Sequence, residues 1–158
     1  MRNLDIRNAL VLSWLDGDFG LTTALPNKDF TPGTDPWAAL FVVPSQPGVA
    51  TLGDQGQDRH DGFLQVDLNH PLNSGDVPAI ALADQIAARY RAGTRFDAPA
   101  LSETLIADFQ AQEFLVWDPL PVLIRSCGYE QPRRVENWSR TTMTIYYSAW
   151  ISRATASG

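Results

Sequence analysis

The segment from Arg140 to Ser152 constrains the fold more than any other, because its apolar residues alternate with polar or aromatic ones throughout. Successive side chains of a β-strand point to opposite faces of the sheet. One face would carry Met143, Ile145, Tyr147, Ala149 and Ile151, and the other Thr142, Thr144, Tyr146, Ser148 and Trp150. The pattern predicts a long strand with one buried face. Tyr146 and Trp150 lie on the second face, where large aromatic side chains need a cover that an oligomer interface could supply.

The N-terminal segment, from about Asn3 to Leu15, contains no Pro or Gly and predicts a helix that ends at Gly17. Its second half is apolar on nearly every side, unlike a surface helix with a single apolar stripe. We therefore expect this helix to be covered on more than one face, by its own domain or by a neighbouring subunit.

A second helix is predicted from Asp76 to Ala92, because apolar residues recur there at steps of three and four. They are Ala79, Ile80, Ala83, Ile86, Ala87 and Tyr90. Ser74 or Asp76 could cap the start of this helix. Pro78 suits its first turn, and Gly93 suits its end.

Two strands are predicted between the helices. Trp37–Val43 is a short, continuous apolar run between prolines, which is typical of a strand covered on both faces. Phe63–His70 alternates apolar and polar residues cleanly. We expect these two strands to pair antiparallel, joined by a long, mobile loop over about residues 44–61. Connections of that length are uncommon and often functional.

The remaining segments complete an α+β domain. Leu120–Cys127 predicts a strand, with Pro121 at its start or at a sheet edge. Residues 97–118 fit a helix over 102–112 or a hairpin, because their apolar spacing favours neither. The predicted order indicates one domain over residues 1–158, with an antiparallel or mixed sheet and helices packed on one face. A chain of 158 residues that is 44% hydrophobic has enough apolar material for one core.

The charge balance argues against two classes of protein. There are 18 acidic and 12 basic residues, and Lys28 is the single lysine, so the formal net charge is −6. General nucleic-acid binders and binders of anionic membranes need a positive face. Charged residues interrupt the N-terminus, which argues against a signal peptide, and no stretch reaches about 18 uncharged apolar residues, the length of a transmembrane helix. We expect a soluble protein made inside a cell.

Few residues suggest catalysis or metal binding. The two histidines, His60 and His70, have no recognisable ligand spacing, and we expect surface or structural roles for both. Asp16-Gly-Asp18 fails the EF-hand pattern, since Gly20, Leu21 and Asn27 stand at its fifth, sixth and twelfth positions. A helix-ending turn is the better interpretation.

Two further features have ordinary interpretations. Asp54, Asp58 and Asp61 could gather a cation weakly, but a solvated loop is expected. The single cysteine, Cys127, excludes an intramolecular disulfide and a multi-cysteine zinc site, and we expect it to be buried or half-buried. No P-loop, G-x-G-x-x-G, G-x-S-x-G or H-E-x-x-H motif is present. We expect no catalytic residues, no cofactor and no metal, so an assembly or binding role gains by elimination.

Candidate interface residues follow from the same patterns. Arg133 and Arg134, close to Arg140, form the densest cationic cluster. They either solvate a hairpin or pair with acids of a neighbouring subunit. The interface candidates are therefore Trp14, Arg133, Arg134, Tyr146, Trp150 and the loop from Gln46 to His60.

The order of segments resembles the tail-terminator-like proteins of long-tailed bacteriophages, of the lambda type, a group that includes a phage-related domain of unknown function. The resemblance is carried by the N-terminal helix and a series of short segments that follow it along most of the chain. They are Asp29-Phe30-Thr31-Pro32, the strand Trp37–Val43, Val49-Ala50-Thr51-Leu52-Gly53, Gly62-Phe63-Leu64-Gln65-Val66-Asp67, the helix Ala79–Tyr90 and Thr144-Ile145-Tyr146-Tyr147.

The resemblance implies a structural virion protein of the tail or neck, assembled in the host cytoplasm. It implies a homo-oligomeric ring, typically a hexamer, that caps the tail tube, ends tube polymerisation and offers a surface for head–tail joining. The implied partners are other copies of the chain, the tail tube protein and the head–tail connector protein, with DNA only passing through the lumen and no membrane.

Two alternatives remain open on the sequence. Another neck or head-completion connector would have a similar composition. A small-ligand-binding or enzymatic α+β domain, with the long loop as a lid, would need convergent polar groups around an apolar pocket, and the sequence shows no such convergence.

Overall fold

The computed structural model describes residues 3–25, 28–45, 48–49, 52–53, 56–97 and 121–152. Within these ranges the chain forms two helices and eight strands. In chain order they are α1 (Asn3–Asp16), β1 (Thr22–Ala24), β2 (Trp37–Pro44), β3 (Gly48–Val49), β4 (Gln57–Pro71), α2 (Val77–Arg89), β5 (Arg95–Asp97), β6 (Pro121–Tyr129), β7 (Arg133–Val135) and β8 (Trp138–Ser152). The sequence left a helix or a hairpin open over residues 97–118. All of these residues except 97 lie outside the described ranges.

The sheet is built around the antiparallel pair of β4 and β8. Their register runs from Gln57 opposite Ser152 to Pro71 opposite Trp138, which pairs all 15 residues of each strand. β2 pairs with the other edge of β4, and β6 with the other edge of β8. The strand order is β1-β2-β4-β8-β6-β5, in which β1 and β2 run parallel. Two short strands lie off this path: β3 pairs with β4, and β7 pairs with β8. The predicted α+β class, the mixed sheet and the antiparallel pairing of β2 with β4 are confirmed.

One face of this sheet is the core. The apolar face predicted for β8 is buried, and the alternating apolar residues of β4 lie beside it. The buried cluster that joins the sheet to both helices includes Leu40, Leu64, Val66, Leu68, Ile124, Met143, Ile145, Ala149, Leu10 and Ile86. Burial of each Leu, Ile, Val or Met side chain of this cluster contributes about 1.5–3 kcal/mol. Both helices therefore cover the same face, as predicted.

Helix α1 is enclosed within its own chain. Its residues from Asp5 to Trp14 are all at most 7% exposed except Arg7 and Leu12, so no single side of the helix faces solvent along its length. The prediction that this helix is covered on more than one face is confirmed. Polar groups also tie α1 to α2, because the Ser13 and Tyr90 hydroxyls lie 2.8 Å apart and Arg89 Nε donates to the Ser13 carbonyl at 3.0 Å. Burial raises the pKa of Tyr90 to about 12.

Helix α2 places its predicted stripe against the sheet: Ala79, Ala83, Ile86 and Tyr90 are at most 1% exposed. Pro78 lies in the first turn, and Gly93, with φ of +91°, follows the last turn. Asp76 is at the predicted N-cap position, but neither candidate caps the helix through its side chain. Asp76 occupies the N-cap position without a side-chain hydrogen bond, and the Ser74 hydroxyl donates instead to the Pro71 carbonyl at 2.6 Å.

Two strand predictions need correction. The loop expected over 44–61 contains β3 and the first five residues of β4, because β8 extends far enough to pair with β4 from Gln57. β2 was expected to be covered on both faces, but Phe41 is 42% exposed and Val43 38% exposed. The helices cover only the opposite face, where Ala38 and Leu40 are fully buried.

Gly62 in β4 is required by the packing of Tyr147, its partner in β8. A Cβ at Gly62 would lie 2.5 Å from the Val43 carbonyl oxygen and 2.6 Å from the Tyr147 hydroxyl.

We expect Gly62→Ala to lower the free energy of unfolding by about 1–3 kcal/mol through overpacking, measured by urea denaturation. The control is Gly128→Ala in β6, where a Cβ meets open space, so a change within about 0.5 kcal/mol is expected. Equal losses in the two variants would contradict this account of Gly62.

Candidate functional site

The sheet face opposite the helices carries a row of apolar side chains, of which Phe41, Val43 and Tyr146 are exposed and Phe63 is half-buried. Val43, Phe63 and Tyr146 lie opposite one another on β2, β4 and β8, with Phe41 beside them on β2. The Phe63 and Tyr146 rings are 5.8 Å apart, and Tyr146 is 48% exposed. We call these four residues the open-face row. Contiguous apolar residues of this kind on a monomer mark an interaction surface.

At one end of the face, aromatic rings cover a group of polar side chains that hydrogen-bond across β4 and β8. The Trp37 ring contacts those of Phe30 and Trp138, at centroid distances of 5.0 and 5.9 Å. In this polar group, Arg140 Nε donates to the side-chain oxygen of Asn69 at 3.0 Å. The Thr142 hydroxyl and the Gln65 amide both donate to Asp67 Oδ1, at 2.9 and 3.2 Å. These bonds satisfy polar groups that the rings and neighbouring strands shield from water.

The other end of the face carries a charged cluster around Asp61. Arg59 Nε lies 2.9 Å from Asp61 Oδ2, and Arg125 Nη1 lies 3.8 Å from Asp61 Oδ1. The Ser148 hydroxyl donates to Oδ1 of the same carboxylate at 2.5 Å. We call Arg59, Asp61, Arg125 and Ser148 the Asp61 cluster. Two guanidinium groups share one carboxylate, so the cluster has a net charge of +1.

A β-bulge in β6 positions Arg125. The register between β6 and β8 shifts between Ile124 and Ser126, which leaves Arg125 as an extra residue without a direct partner. Bulges bend the strand and re-aim the side chain, and here Arg125 points to the carboxylate of Asp61. The bulge also borders a groove of about 390 Å³. Its lining includes Asp61, Phe63, Arg125, Ser126 and Tyr146.

The interface residues predicted from the sequence lie in different places. Tyr146 is part of the open-face row, and Trp150 lies on the same face beyond Ser148, 39% exposed. Arg133 and Arg134 are exposed on β7, where Arg133 stands opposite Arg140 and Arg134 Nε donates to the Glu136 carbonyl at 3.3 Å. Trp14 is 3% exposed and donates from Nε1 to the Thr23 hydroxyl at 3.0 Å.

These positions bear differently on the interface prediction. Trp14 belongs to the chain's own core and leaves little surface for a partner. Tyr146, Trp150, Arg133 and Arg134 are accessible, and their contact with another subunit stays a prediction. Of the segment from Gln46 to His60, the described part lies mostly in β3 and β4.

Sequence reasoning missed Phe41, Val43, Phe63 and Arg125 as surface residues. The signal for Phe41 and Val43 was present, since they alternate with Leu40 and Val42 and therefore share one face of β2. A continuously apolar run predicts a strand covered on both faces, and this prediction conceals the alternation. Arg125 carried no signal, because a bulge depends on the register between two strands.

The two histidines are buried within β4. His60 and His70 are each 5% exposed, so the placement of His60 in a mobile loop was wrong. Burial lowers the pKa of both. For His60 the carboxylates of Asp58 and Asp61 oppose this shift in part. The buried Nδ1 of His70 has no hydrogen-bond partner among the described residues. A structural role is the interpretation that fits this burial.

The turn after α1 and the partial burial of Cys127 agree with the sequence predictions. Gly17 and Asp18 form a turn after α1, with their N–H groups donating to the carbonyls of Trp14 and Leu15. Cys127 is half-buried, and burial raises its pKa to about 11. Across the described ranges no three His, Cys, Asp or Glu side chains come together as a metal site. No helix in the described part of the chain is long and apolar enough to cross a membrane.

Comparison with known proteins decides the family. The model of the family described as phage tail terminator protein matches residues 5–112, more than half of the chain. The chain belongs to this phage tail terminator family. It is thus a structural protein of the phage tail, and the resemblance expected from the sequence is confirmed. The match takes in α1, the open-face residues of β2 and β4, and α2.

Solved structures agree on the fold of this tail terminator protein. Nineteen of their chains match. One of them, whose name carries no functional description, is 20% identical with a TM-score of 0.65, over 94% of this chain and 96% of that one. At this identity the likeness concerns the fold alone. No curated protein matches the sequence.

The stability of the terminator protein should depend on the protonation of His70. Its pKa in the folded state lies below the unfolded value of 6.5, so the unfolded chain takes up the proton first as the pH falls. The stability that depends on neutral His70 is therefore fully present above pH 6.5. It is lost as the pH falls from there towards the folded-state pKa of His70. We expect the free energy of unfolding of the wild type to fall more steeply between pH 7.5 and 5.5 than that of His70→Phe, measured by urea denaturation. Parallel curves for the two proteins would contradict this role.

Proposed function

We propose that this protein closes the end of the phage tail tube as a ring of identical subunits, ends tube polymerisation and provides a surface for head–tail joining. Membership of the tail terminator family supports this role. The observation that carries the proposal is the open-face row, because a family member with one uncovered, partly apolar sheet face has a surface suited to stable contact with other subunits.

A ring uses each subunit's surface in a particular way. In a closed ring with cyclic symmetry above twofold, every copy presents two different surfaces to its two neighbours. The copies would further contact the tail tube protein on one side and the head–tail connector protein on the other. Six copies is the number that the resemblance implies. The protein would be a virion component, at the junction of tail and neck.

The net charge of −6 per chain suits a channel for DNA. Phosphate groups bind to cationic surfaces and are repelled by anionic ones. A lumen lined by acidic side chains would let DNA slide without adhering. A strongly positive lumen in an assembled ring would contradict this part of the proposal.

Deletion of the gene from the phage tests the proposed function. We expect particles that lack the protein to have tails of uncontrolled length, because nothing stops tube polymerisation, and negative-stain microscopy measures this directly. Supplying the intact gene on a plasmid should restore a single tail length. Virions of normal form in the absence of the protein would overturn the proposal. Tails of normal length that fail to join heads would instead favour a neck or head-completion connector.

A further inference from the structure

Helix α2 has an apolar outer side in addition to its buried side. Val77, Ala81, Asp84 and Ala88 recur at spacings of four, three and four, which places them on one side of the helix. All four are exposed, and Val77 is 71% exposed. We call these residues the α2 outer strip. A helix with one side in the core and the other in water would carry mostly charged residues there, whereas this strip has a single charge.

The single charge of the α2 outer strip is negative, whereas the Asp61 cluster on the open face of the sheet has a net positive charge. Arg59 and Arg125 share Asp61, and their side chains remain 47% and 52% exposed. Both guanidinium groups therefore retain donors that can reach a further carboxylate. The α2 outer strip carries Asp84, and the exposed Asp76 precedes it. Asp84 Oδ1 accepts a hydrogen bond from the Tyr129 hydroxyl of the same chain at 3.3 Å, and a carboxylate has further acceptor positions for a guanidinium group. The two surfaces are thus complementary in charge, and each combines charged groups with exposed apolar side chains.

We propose that the open-face row and the Asp61 cluster of one copy bind the α2 outer strip of the next copy. This inference rests on the proposed ring and names the two surfaces that build it. The sheet of one subunit would gain the second helical layer that its own chain does not supply. Arg125 of one copy would lie near Asp84 of its neighbour, with Tyr146 packed against the alanines of the strip.

The two surfaces belong to different parts of the subunit, which distinguishes this contact from that of a symmetric dimer. α2 lies on one side of the sheet and the open-face row on the other, so the two surfaces point in opposite directions. A contact between different surfaces is heterologous, and repeating it generates a closed ring or an open filament. The exposed parts of Phe41, Val43, Tyr146 and Trp150 amount to roughly 350 Å² of apolar area, estimated from the area that such side chains bury. That is within the range of functional patches.

Disulfide cross-linking in assembled tails tests the contact. The chain has a single cysteine, so Cys127→Ser supplies a cysteine-free background. Into it we would introduce Tyr146→Cys and Ala81→Cys together and let the variant replace the wild-type protein in the phage. On non-reducing gels we expect a ladder of cross-linked copies that ends at the size of the closed ring. The matched control pairs Ala81→Cys with Arg134→Cys, an exposed residue away from the open-face row, and should give no ladder.

Other occupants of the open face would give different products. A dimer from Tyr146→Cys alone would mean that two open faces meet each other, and would overturn the proposal. A cross-link from Tyr146→Cys to a different tail protein would place the tube or the connector on this face, and would overturn it too. Absence of a ladder in tails of normal length would overturn this interface but not the proposed terminator function. The terminator function is tested separately, by the deletion experiment.

Charge exchange supplies a second test that does not depend on cysteine chemistry. Arg125→Glu should repel Asp84 of the neighbouring copy and reduce the yield of infectious particles by about tenfold or more. Adding Asp84→Arg should restore most of the yield, because the charges are again complementary. The thermal midpoint of each purified variant checks that it folds. Equal yields for the single and the double variant, both folded, would overturn the pairing.

Discussion

The antiparallel pairing of β4 with β8 is the interaction on which the rest of the structure depends. Each strand contributes 15 residues, and each other strand attaches to this pair directly or through one intermediate. A two-stranded ribbon is marginally stable by itself in water, so the pair needs neighbouring strands and a second layer packed against it. The helices supply this layer on one face only, where the tightest residues of both strands, such as Leu64 and Ile145, are fully buried.

The same pairing explains why the other face can serve a function. Because residues opposite one another on neighbouring strands share a face, the register aligns Val43, Phe63 and Tyr146 into one row. It also brings Arg59 and Asp61 beside Ser148, while the bulge in β6 adds Arg125. Cross-strand hydrogen bonds around Asp67 and Asn69 hold the covered end of the face. A rigid sheet therefore presents apolar and charged groups at set positions, as an assembly surface requires.

Much of the architecture could be predicted from local patterns. Alternation in Arg140–Ser152 identified β8 and its two faces, and the stripe from Ala79 to Tyr90 identified α2, because each pattern repeats over many residues. Four short strands, β1, β3, β5 and β7, were not predicted, since a run of two or three residues carries no periodic signal. The first residues of β4 look like a polar loop, and they become a strand only because β8 is long enough to pair with them.

By itself the sequence determined the α+β class, the two helices, the buried and open faces of β8, and a resemblance to tail terminators that the family comparison bears out. These depend on periodicity and segment order, which are local properties of the chain. The tertiary structure alone decided the burial of Trp14, the partial exposure of Phe41 and Val43, and the meeting of Arg125 with Asp61. Each of these depends on which elements cover which face and on the register between strands distant in sequence, and pairing over long separations leaves no mark in a local pattern.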